Sequence, residues 1–123
     1  MFEVTCEAGF CATHRLLRDG APIEPLHGHD WRVEAVAAGE TLDGSGLLVD
    51  FVDLERALGE VVSALHHGDL NALPAFAGLS PSAEVVARHV FVEVRRRLGR
   101  DGSALRRVRV FEAPGCSATY AEG

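Results

Sequence analysis

Three histidines occupy positions from which an extended backbone aims them the same way. His27 and His29 flank a single glycine, so on a strand they share one face. That parity runs on into Trp31 and Val33 and therefore points inward. His14 closes an earlier alternation in which Phe2, Val4, Cys6, Ala8, Phe10 and Ala12 oppose Glu3, Thr5, Glu7, Cys11 and Thr13, and it falls on the apolar side. A hairpin pairing the two segments could bring three imidazoles together. Three neutral imidazoles suit Zn(II) and leave a fourth tetrahedral position open, the mark of a catalytic rather than a structural site. An ion held there would polarise a bound hydroxyl or carbonyl and acidify the adjacent C–H. The competing reading of the same residues is histidines of the surface or the core.

The elements that must position these residues follow from periodicity. The first strand runs up to His14. A turn-rich stretch from Arg15 to Leu26, with Asp19-Gly20 and two prolines, separates it from a second alternation, Trp31, Val33, Ala35 and Ala37, that ends near Gly39. Past a glycine-rich link, Asp50 and Asp53 resemble a cap pair opening a helix, and Leu54, Ala57, Leu58, Val61, Val62 and Leu65 recur at helical spacing up to His66-His67-Gly68. Ser80-Pro81 reads as a cap followed by a proline in the first helical position, with Val86, Ala87, Val90, Phe91, Val94 and Leu98 as the second stripe and Gly99 as the stop. A third strand spans Leu105 to Glu112, and Ser117 to Tyr120 gives a short fourth. The order ββααββ predicts an α+β fold with both helices on one face of an antiparallel sheet. The exposed edges of so small a sheet are protected if they pair with other subunits.

Composition bounds the rest. At 123 residues, 47% hydrophobic and 24% charged, the chain is sized for one soluble domain, residues 1–123, and has no apolar run long enough to span a bilayer. Its 12 basic residues are all Arg. Without Lys there is neither Schiff-base chemistry nor a phosphate loop of the Gly-Lys-Ser/Thr type. A net charge of −6 argues against nucleic acid as a partner, and the Arg95 to Arg97 cluster reads as a solvated helix end. Three scattered Cys and no signal-like start fit a reducing cytoplasm without disulfides.

Six stretches in register carry a family resemblance: Phe10 to His14, the LHGHDW run from Leu26, LVDFVDL from Leu48, HHGDLN from His66, SPSAE from Ser80, and the spacing from Glu112 to Tyr120. Together they resemble the 6-pyruvoyl-tetrahydropterin synthase and 6-carboxytetrahydropterin synthase family over nearly the whole chain. The resemblance implies the tunnelling fold, whose subunits trimerise into a barrel and stack as a homohexamer with active sites between subunits. It implies Zn(II) on His14, His27 and His29, and a lyase acting on 7,8-dihydroneopterin triphosphate with loss of triphosphate. It also casts Glu112 as the anchor of the pterin ring and His67 as a catalytic acid/base. A carboxylate can accept two parallel hydrogen bonds from the pterin N3–H and 2-amino edge, and an imidazole titrates near neutrality.

Two positions depart from the family pattern. Usual members place a proton-abstracting Cys in the loop before His-Gly-His, whereas this loop reads Ala21 to Leu26 without one; Cys6, Cys11 and Cys116 read as structural. The Asp that the resemblance leads one to expect before the catalytic imidazole is replaced by His66; Asp69 is close in sequence, but two residues further along it need not face the ring. Glu24-Pro25-Leu26-His27-Gly28-His29 instead resembles a branch that carries Glu in place of Cys and cleaves the side chain to a 6-hydroxymethylpterin. Glu24 is then the expected base, its competing reading being an exposed loop acid. A non-catalytic paralogue that keeps pterin or purine binding, or metal-supported assembly alone, are the other classes the two departures leave open.

Overall fold

The computed structural model describes residues 1–123. Two long strands, β1 (Phe2–His14) and β4 (His27–Gly39), pair antiparallel along their full length, from Phe2 opposite Gly39 to His14 opposite His27. This register sets Ala12 against His29 and Phe10 against Trp31, so the inward parity read from the sequence places all three histidines at one end of one hairpin. Between the strands, Asp19 and Gly20 both take positive φ, 52° and 80°. That pair of left-handed residues suits the tight turn joining two-residue strands, here β2 (Leu17–Arg18) and β3 (Ala21–Pro22). This small hairpin was not expected from the sequence.

Helix α1 (Phe51–Leu65) starts at Asp50, whose carboxylate accepts the Val52 N–H at 2.8 Å. Its buried residues are the six of the predicted stripe. Helix α2 (Ala83–Leu98) differs from expectation at its start. The cap is Ser82, accepting the Val85 N–H at 3.2 Å, and not Ser80. Ser80 Oγ instead accepts the Leu17 N–H at 2.9 Å, and the Pro81 carbonyl accepts from His14, so tertiary partners keep the chain extended for two more residues. Gly99, at φ 60°, ends α2 as expected.

One short strand segment and two longer strands complete a five-stranded sheet in the order β5-β1-β4-β6-β7, with β5 (Gly68–Asp69) parallel to β1, then β6 (Leu105–Ala113) and β7 (Cys116–Ala121) antiparallel, while β2 and β3 form a separate two-stranded sheet. Both helices pack on one face of the sheet, burying Val33, Ala35, Ala37, Val108 and Val110 against Leu54, Leu58, Val90 and Phe91. The fold is α+β, as read from the sequence. Two irregularities in β6 matter for its residues. Leu105 pairs with Ala37 and Arg107 with Val36, so Arg106 is an extra residue; likewise Phe111 pairs with Ser117 and Ala113 with Cys116, leaving Glu112 as the bulged residue. A bulge re-aims a side chain and recurs next to functional sites.

His89 lies on α2 with its ring 4.9 Å from that of Phe76. Burial pushes its imidazole below the ordinary pKa, with Glu93 opposing and Arg97 reinforcing the effect. A depressed histidine means that the unfolded chain binds the proton first, so stability present above about pH 6.5 is lost as the pH falls through that value. Urea unfolding at pH 7.5 and 5.5 should show a smaller loss of stability for His89→Gln than for the parent chain. Equal losses would exclude His89 as a source of the acid sensitivity.

Candidate metal and substrate site

His14, at the end of β1, is fully buried. Its Nδ1 lies 2.8 Å from the Pro81 carbonyl oxygen. A carbonyl only accepts, so Nδ1 carries the hydrogen and an uncharged ring turns its lone pair out at Nε2. His27 is arranged alike, with Nδ1 donating to the Pro25 carbonyl at 2.8 Å. His29 is half-buried, and burial holds its imidazole below the ordinary pKa, with Glu112 opposing that shift. The three ring centroids stand 4.8, 5.3 and 4.8 Å apart, and one nitrogen from each ring lies within 4.8 Å of the others. Nε2 of both His14 and His29 is buried without a hydrogen-bond partner. Three imidazoles with converging ring nitrogens, two of them, His14 and His27, held by their far nitrogens, could hold a metal ion. This is the donor set that zinc takes in open, three-ligand sites.

Trp31 forms the wall behind them. It is buried, donates Nε1–H to the Ala12 carbonyl at 3.2 Å, and meets His14 and His29 edge-on at 4.9 and 5.7 Å. Asn71 fastens the chain just past His14 by bonding both the N–H and the carbonyl of Arg15, at 2.9 and 3.0 Å.

Two carboxylates flank the imidazoles. Glu24, returned to the site by the β2–β3 hairpin, accepts the Leu16 N–H at 2.9 Å and lies 3.9 Å from His27 Nε2. Glu112, aimed by its bulge, puts Oε1 3.0 Å from His14 Nε2 and 3.9 Å from His29 Nε2. It also lines a shallow cleft of about 420 Å³ with Glu84, Cys116, Ser117 and Thr119. Five of the six residues singled out in the sequence thus stand together. The sixth, His67, is exposed and makes no hydrogen bond or ion pair to the other five. It shares with His29 the lining of an open cleft of about 610 Å³.

The backbone at His67 takes a positive φ of 60°, and its N–H donates to the Cys11 carbonyl at 2.6 Å. Left-handed backbone in a non-glycine residue is strained and clusters at functional sites. His66 accepts the Cys11 N–H on Nδ1 at 3.1 Å and stacks on His67 with centroids 3.6 Å apart. Asp69 is otherwise engaged, accepting the Asn71 N–H at 3.1 Å. The same cleft holds a pair the sequence reading passed over: Cys11 Sγ donates to Asp30 Oδ1 at 2.8 Å, which raises the thiol above its ordinary pKa. The signal was present in the strand parity, which places Cys11 and Asp30 directly opposite each other on the face away from the helices.

The 6-pyruvoyl tetrahydropterin synthase family profile matches residues 3–123. A provisionally named 6-carboxy-5,6,7,8-tetrahydropterin synthase of Archaeoglobus fulgidus is 34% identical over 71% of this chain and 68% of its own length. Dihydroneopterin monophosphate aldolase of Pyrococcus furiosus is 32% identical over 80% of each chain. The Caenorhabditis elegans 6-pyruvoyl tetrahydropterin synthase superimposes with a TM-score of 0.86 at 24% identity, over 100% of this chain and 98% of that one. A Plasmodium vivax 6-pyruvoyltetrahydropterin synthase, in which a glutamate described as a catalytic residue is replaced by alanine, gives 0.76 at 17% identity over 98% and 97%. The sheet and its two helices are those of the tunnelling-fold subunit, and with a match from residue 3 to the final glycine the chain belongs to the 6-pyruvoyl tetrahydropterin synthase family.

Proposed function

We propose that this chain is a zinc-dependent carbon–oxygen or carbon–carbon lyase acting on 7,8-dihydroneopterin triphosphate as one domain spanning residues 1–123. The observation that carries the reading is the fixed orientation of the imidazoles: His14 and His27 each spend Nδ1 on a backbone carbonyl, and acceptor nitrogens of all three rings converge where two of them have no partner. The ion would supply Lewis acidity toward the substrate's side-chain oxygens. Glu24 accepts the proton from the acidified carbon, and its bond from the Leu16 N–H holds the carboxylate at the rim of the site. Glu112 grips the pyrimidine edge of the pterin. His67 serves as the second acid/base from the open cleft.

The loop favours a particular product. Glu24 stands where usual members carry Cys, the Plasmodium vivax relative is described with a catalytic glutamate, and the Pyrococcus furiosus relative is named an aldolase. We therefore favour side-chain cleavage to a 6-hydroxymethyl-dihydropterin over pyruvoyl or carboxy products. Zinc-loaded protein incubated with 7,8-dihydroneopterin triphosphate, with the pterins separated by chromatography, should yield the hydroxymethyl product, and chelation should abolish it. A pyruvoyl or carboxy product would reassign the branch. No product together with tight pterin binding would make the chain a binding paralogue.

The proposed assembly is a hexamer built from two trimers. Strand β7 pairs only with β6, and β1 has an outer partner only at Ala12 and Thr13, so both sheet edges carry unpaired backbone suited to strand addition between copies. No helix is long and apolar enough to cross a membrane. Three free thiols, two of them exposed, suit the reducing cytoplasm that we propose as its compartment.

A further inference from the structure

Three successive backbone N–H groups past the end of β1 are each taken by a side chain from a different part of the chain. Arg15 N–H is donated to Asn71 Oδ1, Leu16 N–H to Glu24 Oε1 and Leu17 N–H to Ser80 Oγ, each at 2.9 Å. The middle bond is diverted from an ordinary ladder. Ile23 N–H is donated to the Leu16 carbonyl at 3.0 Å, which extends the β2–β3 hairpin by one pair. Such an antiparallel pair normally exchanges two bonds, yet here the Leu16 N–H goes to the Glu24 carboxylate. That N–H and the Arg15 carbonyl belong to one planar peptide unit and point to opposite sides of it. Asn71 Nδ2 donates to that carbonyl at 3.0 Å, so the Asn71 amide grips one edge of the plane whose other edge holds Glu24. Asn71 is in turn placed by Asp69, which accepts its N–H at 3.1 Å, and Gly68 and Asp69 pair with Ala12 and Thr13 of β1. Residues His67 to Asn71 therefore run beside β1 as one strip, with His67 at one end and the grip on Arg15 at the other.

We propose that Asn71 is a positioning residue for Glu24, acting through the Arg15–Leu16 peptide unit, with Ser80 steadying the next unit. The inference rests on the reading of Glu24 as the base and deepens it by naming what aims the carboxylate. A glutamate side chain on a loop has many rotamers. Fixing the one donor that holds it removes most of them before substrate arrives, and a base held in its reactive geometry gains rate from that preorganisation. The same strip carries His67, so both proposed acid–base groups are referred to one frame built on β1.

Four variants of the full chain, checked for folding by circular dichroism, test the role. Asn71→Ala removes both bonds to Arg15, and Asn71→Asp keeps an acceptor for its N–H but sets oxygen against its carbonyl. Ser80→Ala removes the acceptor for Leu17, and Ser80→Thr keeps it. Amide hydrogen exchange over residues 15–24 reads the geometry without turnover. Exchange there should be roughly tenfold faster in Asn71→Ala, Asn71→Asp and Ser80→Ala, at parent level in Ser80→Thr, and unchanged along β4 in all four. In steady-state kinetics kcat should fall about tenfold to hundredfold in both Asn71 variants with KM near that of the parent. In a Glu24→Gln background, Asn71→Ala should cause no further loss, because a residue that acts only through the base has nothing left to position. Parent-level exchange and kcat in both Asn71 variants would overturn the role while leaving Glu24 as the base, and so would an equal fold-loss from Asn71→Ala in both backgrounds. Parent-level turnover in Glu24→Gln alone, or none in the parent chain, would overturn the base reading and this role together.

Discussion

Replacing Glu24 by glutamine should cost about a hundredfold to ten-thousandfold in turnover while leaving zinc content and pterin affinity near those of the parent, the range typical of a lost general base. The amide oxygen can still accept the Leu16 N–H that now binds Oε1 at 2.9 Å, so the loop should keep its course and only proton acceptance is lost. The carboxylate's position 3.9 Å from His27 Nε2 makes this a local effect at the site. Steady-state kinetics on the hydroxymethyl-forming reaction, with KM and kcat separated, is the measurement. A kcat equal to that of the parent would remove Glu24 from the chemistry and return attention to Cys11 and Asp30 in the neighbouring cleft.

Trp31→Ala should destabilise the chain by about 3–5 kcal/mol, the usual cost of emptying a buried aromatic position. The indole stacks on Phe10 at 5.6 Å with planes 4° apart, and it walls two of the three imidazoles. Its loss therefore creates a cavity, leaves the Ala12 carbonyl without the Nε1–H, and frees His14 and His29 to tilt. Denaturant unfolding should show the loss, and zinc affinity should fall with it. Trp31→Phe retains most of the ring and forfeits the hydrogen bond, for a smaller cost of about 1–3 kcal/mol. A loss below about 1 kcal/mol for the alanine variant would mean that the wall behind the triad is not structural.

The legible parts of the fold were those fixed by local pattern. Alternation placed His14, His27 and His29 on the inner face of paired strands, and helical spacing gave the buried residues of α1 and α2, because each pattern reflects a face pressed against the same core. The parts missed were set by partners distant in sequence. Ser80 looked like the cap of α2, yet its hydroxyl serves Leu17 and the next carbonyl serves His14, 67 positions away. Glu112 was legible as a functional acid through family spacing, but nothing local announced the bulge that turns it onto His14. Cys11 was set aside because its parity opposes that of His14; the structure agrees on the parity and shows that the opposite face carries its own cleft with Asp30. His66, read from the sequence as standing where the family has Asp, takes its place through its stacking on His67 and its bond from the Cys11 N–H.

Zinc stoichiometry in the parent chain and in His27→Ala and His29→Ala tests the triad most directly. Both residues are partly exposed, so their removal should leave the fold standing, as circular dichroism would verify. Elemental analysis after exhaustive dialysis should give about one zinc per chain for the parent and nearly none for either variant, since three convergent imidazoles are the minimum the open site requires. Equal zinc in all three proteins, or none in the parent, would contradict a metal centre on His14, His27 and His29 and with it the lyase reading built on that centre.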